Sequence, residues 1–201
     1  MSVKYRPTVL ILLALLFALT LPGTTFGQQT AEEFFNRSNA EIATNDWDGV
    51  IADSSKAIEL NPKYTDAYCN RGFGKANKGD LDGAIADYNR AIELNPKSAV
   101  AYNARGWAEV AKGDLDGAIA DFTKAIELNP QFGAPYYSRG NAKKDKGDLD
   151  GAIADFTKAI EVSPKFANAY LKRAVAKKAK GDRAGADADW AQAAKLKVSR
   201  P

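Results

Sequence analysis

The sequence predicts an all-α solenoid of stacked helix–turn–helix units. Its period is 34 residues: Pro62, Pro96, Pro130 and Pro164 fall at that interval, and so do Asp46, Asp80, Asp114, Asp148 and Asp182. Between these marks the text nearly copies itself. GDLDGAIADYNRAIELNP runs from Gly79 to Pro96, GDLDGAIADFTKAIELNP from Gly113 to Pro130, and GDLDGAIADFTKAIEVSP from Gly147 to Pro164. Each copy spaces its apolar residues for a helix. Repetition at this length gives units that contact mainly their neighbours and together offer an extended surface. A surface of that kind points to binding, not to chemistry.

Residues 1–27 stand apart from the repeat. Lys4 and Arg6 precede an apolar run, Val9 to Leu21, broken only by Thr20; Pro22-Gly23 and small residues follow. That order is the one a secretory signal takes. The run is about 13 residues, short of the roughly 20 that a membrane span needs. Cleavage is expected after Gly27, leaving Gln28 as the new N-terminus and 28–30 as a short leader. The protein is therefore expected to be exported, to a periplasm or beyond, and to meet the membrane only transiently through this segment.

The 174 residues that remain suffice for one domain with a sizeable interior. They carry 26 basic and 25 acidic side chains, unevenly placed: residues 165–201 hold 10 basic against 3 acidic. Such a bias suits an anionic partner or a solvated end, and the second is the simpler expectation. Nucleic acid is not expected as a partner, because the basic run from Leu171 to Lys180 is confined to one helix. Cys69 is the single cysteine, so no internal disulfide forms, and a small residue packed between helices is its plain reading. The chain has no histidine, which removes histidine triads, bases and metal ligands together. The Asp-rich turns, such as Asp80-Leu81-Asp82-Gly83, lack the distal ligands of a calcium loop. No glycine loop for phosphate occurs. No catalytic residue, cofactor or metal is expected, and the chain reads as a non-enzyme.

Each unit holds two helices. In the second, Leu115, Ala118, Ile119, Phe122, Ala125 and Ile126 form one stripe at helical spacing. Asp114 precedes the stripe, where a carboxylate accepts free N–H groups of the first turn. Gly113 suits the left-handed end of the helix before it. Asn129-Pro130 then stops the second helix. Pro135 falls in the first turn of the next, where its missing N–H costs little.

These features together resemble the tetratricopeptide repeat family, whose unit is a 34-residue helix–turn–helix with aromatic, small and proline residues at set offsets. The first aromatic place holds Phe34, Tyr68, Tyr102, Tyr136 and Tyr170; the glycine place holds Ser38, Gly72, Gly106, Gly140 and Ala174. The next small place holds Val50, Ala84, Ala118, Ala152 and Ala186. The second aromatic place holds Ser54, Tyr88, Phe122, Phe156 and Trp190. The resemblance implies five units, 31–64, 65–98, 99–132, 133–166 and 167–201, in a right-handed superhelix. Units one and five depart most: one lacks the glycine and the second aromatic, and five lacks the final proline and is rich in lysine. A polar outer face at either end is what solubility of a solenoid requires.

One departure is systematic. Where the family pattern has Leu, this chain has Arg37, Arg71, Arg105, Arg139 and Arg173, and Asp53, Asp87, Asp121, Asp155 and Asp189 match them in every unit. Five such pairs predict a partly buried ladder of ion pairs, inside a unit or across to the next.

In proteins similar to this one, the first helices line a concave groove that holds peptide segments. Carried over, the groove residues are the aromatics Phe35, Phe73, Trp107 and Tyr137 and the amides Asn39, Asn70, Asn103, Asn141 and Asn168, with Lys172 at the basic end. An amide offers a donor and an acceptor to any peptide backbone. An aromatic beside it adds apolar area with little entropy loss. Trp107, central in the array, is the leading anchor; Phe35 and Tyr137 serve equally well as filling between helices. The carboxylate-clamp subtype is not expected, since Phe35, Val100 and Ala104 stand at its basic places. The expected function is an exported, non-catalytic adaptor that binds a segment of an envelope or secreted protein. The alternative is a structural protein that self-associates through its end repeats or through Cys69.

Overall fold

The computed structural model describes residues 29–198, so the signal segment predicted for 1–27 lies outside the described residues. Ten α-helices and no strand make up the described part. They are α1 (Ala31–Thr44), α2 (Trp47–Leu60), α3 (Thr65–Asn77), α4 (Leu81–Leu94), α5 (Ala99–Lys112), α6 (Leu115–Leu128), α7 (Gly133–Asp145), α8 (Leu149–Val162), α9 (Ala167–Ala179) and α10 (Arg183–Val198). Two helices fall in each predicted unit. Asp46, Asp80, Asp114, Asp148 and Asp182 each accept the backbone N–H of the glycine three residues on, a cap worth about 1 kcal/mol. The residue before each cap is left-handed. It is Gly79, Gly113, Gly147 or Gly181, with φ of +87°, +86°, +87° and +89°, and in unit one it is Asn45 at +58°. Asparagine is among the few side chains that accept this conformation.

The interior repeats like the sequence. Ala84, Ala118 and Ala152 are fully buried, as are Ala91, Ala125 and Ala159, which lets the helix backbones approach closely. Tyr88, Phe122 and Phe156 fill the hairpins and are at most 2% exposed. Burying one such ring contributes about 3 kcal/mol. A Cβ on Gly72, Gly106 or Gly140 would stand 2.7, 2.7 and 2.8 Å from the same ring's edge. The glycine and the aromatic are one device. Unit one has Ser54 in place of the ring and accordingly tolerates a fully buried Ser38.

Each helix packs on the one before and the one after. Among alternate helices, α1 meets α3, α3 meets α5, α5 meets α7 and α7 meets α9, whereas no second helix meets another second helix among the described residues. The first helices therefore lie on the inside of the curve. Every groove residue named from the sequence is on one of them.

The charge ladder runs inside the units. In units two to five the Arg Nε and one Nη donate to the two oxygens of the matching Asp at 2.6–2.9 Å; Arg37 and Asp53 pair the same way in unit one. Each Asp is about 95% buried. Each guanidinium also lies 5.0–6.0 Å over the first aromatic of its own unit. The other Nη of three arginines reaches back to the preceding unit: Arg105 to Asn89 at 2.6 Å, Arg139 to Thr123 at 2.9 Å, Arg173 to Thr157 at 3.1 Å. The charge is settled within a hairpin, and a neutral hydrogen bond ties it to the next. A second link between neighbours is ionic: Lys78–Asp48, Lys112–Asp82, Lys146–Asp116 and Lys180–Asp150. These aspartates are at least 80% exposed, so each pair contributes about 0–1 kcal/mol.

Candidate binding cleft

The groove opens into a cleft of about 470 Å³ between α3 and α5, floored by Leu81 and Tyr88 of α4. Its walls are Phe73, Val100 and Trp107, with Asn77 and Asn103 at the polar positions. Phe73, Val100 and Trp107 are 42%, 58% and 47% exposed, an uncommon state for large apolar side chains. Each ring is held from behind. Phe73 meets Trp47 edge-on at 5.5 Å, and Trp107 meets Phe122 edge-on at 6.2 Å. Ala104 lines the cleft where the equivalent places hold Asn36, Asn70, Ser138 and Lys172. None of its lining residues is charged. The Asn103 Oδ1 is buried without a hydrogen-bond partner, a cost normally offset by a bound donor or by water. An uncharged apolar slot beside amides can accept an apolar side chain while meeting the backbone that carries it.

Three of the residues named from the sequence, Phe73, Asn103 and Trp107, come together here. The others lie elsewhere. Phe35 packs on Tyr64 at 4.8 Å, and Tyr137 packs on Phe166 at 4.8 Å and Phe156 at 5.9 Å, so both rings fill helix interfaces. Asn70 donates to Asn39 Oδ1 at 2.7 Å and to Ser38 Oγ at 2.9 Å, joining units one and two. Asn141 donates to the carbonyl of Tyr137 at 3.1 Å. Asn168 and Lys172 are exposed on α9. Val100, Asn77 and Leu81 were not among the sequence candidates. Val100 had a signal: its place holds Glu32, Asp66, Ala134 and Asn168 in the other units, so a large apolar residue there is out of pattern. Leu81 had none, because Leu115 and Leu149 share its place.

Cys69, also on α3, is largely buried among Tyr68, Ala91 and Ala101. Burial first, then the charges of Asp66 and Asp87, push its thiol up to about 12. That is an inert packed thiol.

The basic end is less charged than its composition suggests. Arg173 and Lys177 both pair with Asp189, and Lys180 pairs with Asp150. On the outer face of α10, Arg183 stands where Leu81, Leu115 and Leu149 stand, and Asp187 where Ile85, Ile119 and Ile153 stand. Lys178 lies over the Trp190 ring at 5.5 Å. The fifth unit thus carries polar residues on the face where the others receive a neighbour.

Known proteins agree with this architecture. A model described as "TPR repeat" matches residues 140–181, and one described as "Tetratricopeptide repeat" matches 75–131. No curated protein matches the sequence. Among solved structures, the crystal structure of MamA is similar at a TM-score of 0.70 and 26% identity, over 80% of this chain and 94% of that one. Pseudomonas aeruginosa PilF is similar at 0.78 and 14% identity, over 83% and 76%. YrrB, described as a TPR protein with an unusual peptide-binding site, is similar at 0.64 and 22% identity, over 85% and 88%. The last two likenesses concern the fold alone. With the 34-residue spacing, the stacked hairpins and both family matches in agreement, the chain is a tetratricopeptide repeat protein.

Proposed function

We propose that the chain is an exported, non-catalytic adaptor that holds a segment of another protein, from the envelope or the exterior, against the cleft between α3 and α5. The tetratricopeptide fold is a scaffold for protein–protein contact, and the coarse assignment rests on it. The observation that carries the finer reading is the gathering of Phe73, Val100 and Trp107 at one uncharged slot. Half-exposed rings beside amides are the composition of an interface hot spot. The peptide-binding site of YrrB is consistent with this reading but is a property of that protein. Export rests on the order of charge, apolar run and small residues in 1–27.

Head-to-tail self-association is the weaker reading. The ionic link between neighbours needs an Asp at the place of Asp48, Asp82, Asp116 and Asp150, and unit five has Ala184 there. The acceptor place of Asn89, Thr123 and Thr157 is Ala191, and the place of Lys78, Lys112, Lys146 and Lys180 is Thr44 in unit one. The outer face of unit five lacks both acceptors by which one unit holds the next, and that of unit one lacks the lysine.

The test is selection of binding segments from a random peptide library by the chain from residue 28. Selected segments are expected to share an apolar or aromatic anchor, and to be lost by Trp107→Ala and by Val100→Lys with helicity unchanged. Selection that survives both substitutions would refute the cleft as the site.

A further inference from the structure

The place one helical turn after each ladder arginine is occupied in two ways. In units two, four and five it is Lys75, Lys143 or Lys177, and each lysine contacts, at 2.8–2.9 Å, the same oxygen of the buried Asp that accepts the Arg Nε–H. In units one and three it is Glu41 and Glu109. Two carboxylates then face one guanidinium. In unit three Arg105 is already committed to both oxygens of Asp121, and its Nε is 3.9 Å from Glu109 Oε1. The Glu109 side chain is 17% exposed, and its Oε2 is buried with no hydrogen-bond partner; Glu41 Oε2 is in the same state. The charged groups acting on Glu109 are Arg105 on its own helix, Asp121 on α6 and Asp114 at the N-cap of α6. Such an arrangement leaves a net negative charge that has been taken out of water.

We propose that Glu109, crowded against Arg105 and Asp121, is held as the neutral acid, which makes the α5–α6 hairpin a pH-sensitive element of the solenoid. The proton sits on Glu109; on release it passes to solvent and leaves two carboxylates against one guanidinium. The direction follows from the environment. Burial first, and then the charge of Asp121, push Glu109 up to about 7 against the usual carboxylate range. A carboxyl raised in the folded state contributes stability that is fully present below its ordinary range and is lost as pH rises through neutrality.

The experiment compares the chain from residue 28 with its Glu109→Gln, Glu109→Lys and Glu41→Gln variants, from acid to mildly alkaline pH. One readout is thermal unfolding. The other is a carbon-13 NMR titration of the side-chain carboxyls, with Glu109 assigned by its loss in Glu109→Gln. The Glu109 resonance is expected to titrate within about one unit of neutrality. Glu109→Lys and Glu109→Gln are expected to gain on the parent as pH rises, with Glu109→Lys ahead at the alkaline end. Amide exchange in α5, corrected for intrinsic rate, is expected to slow by roughly tenfold or more in Glu109→Lys at the alkaline end. Glu41→Gln shows what unit one adds. A Glu109 carboxyl that titrates in the ordinary range would overturn the proposal, as would a parent and Glu109→Gln that differ equally at both ends of the pH range.

Discussion

Replacing Arg105 by alanine removes the guanidinium that faces Asp121 and Glu109 together, and the outcome is calculable against a control inside the same chain. Asp121 is 5% exposed and Arg105 22% exposed at the side chain, so the pair is close to the buried limit. Removing one partner of a buried pair costs about 3–5 kcal/mol, chiefly because the other charge is stranded. In unit four Arg139 makes the same fork to Asp155, but Lys143 stays 2.8 Å from that carboxylate when the arginine is gone. Only the charge-assisted bonds are then lost, about 2 kcal/mol. At roughly 2–4 °C per kcal/mol, Arg105→Ala should lower the melting point by about 10 °C and Arg139→Ala by about 5 °C. The assay is thermal and urea unfolding followed by far-ultraviolet circular dichroism, at about pH 8 so that Glu109 is ionised. Arg105→Ala combined with Asp121→Ala should cost about 2 kcal/mol less than the two single changes summed. Equal losses for Arg105→Ala and Arg139→Ala, or strict additivity within unit three, would refute the view that buried charge sets the cost.

Two further outcomes follow from packing. Gly106→Ala places a Cβ 2.7 Å from the Phe122 ring, which has no room to retreat, and should cost about 1–3 kcal/mol in an unfolding titration; an unchanged midpoint would mean that the hairpin gives way without strain. Cys69, buried and raised to about 12, should react with an alkylating reagent roughly a hundredfold more slowly in the folded chain than in denaturant; equal rates would show a thiol open to solvent.

The periodic part of the fold was legible in the sequence because the physics that sets it is local. Asp114 caps α6 and Gly113 ends α5 through bonds within a few residues, so a motif three or four letters long carries the whole instruction. Ala118, Phe122 and Ala125 share a helix face by spacing alone. The site was legible only in part. Trp107 and Phe73 stood out as aromatics on first helices, yet Phe35 and Tyr137 carry the same signature and are spent on Tyr64 and Phe166. Whether a ring is free depends on the partner that reaches it, and that partner stands about thirty residues on, at the far end of the same unit.

What the sequence determined by itself was therefore the repeat, the caps, the paired Arg and Asp of every unit, and the polar outer face of the fifth. Each is encoded by residues close in the chain or copied at a fixed interval. Tertiary structure alone decided that the ion pairs close within a hairpin and reach the preceding unit through a neutral bond. It also decided that Phe73, Val100 and Trp107 frame one slot, and that Glu109 ends beside Asp121 with an oxygen unpartnered. These are outcomes of helix packing. The rotation of one helix on the next, within a unit as well as between units, fixes which side chains meet, and that rotation is set by the summed contacts of two helical faces, which no single position spells out.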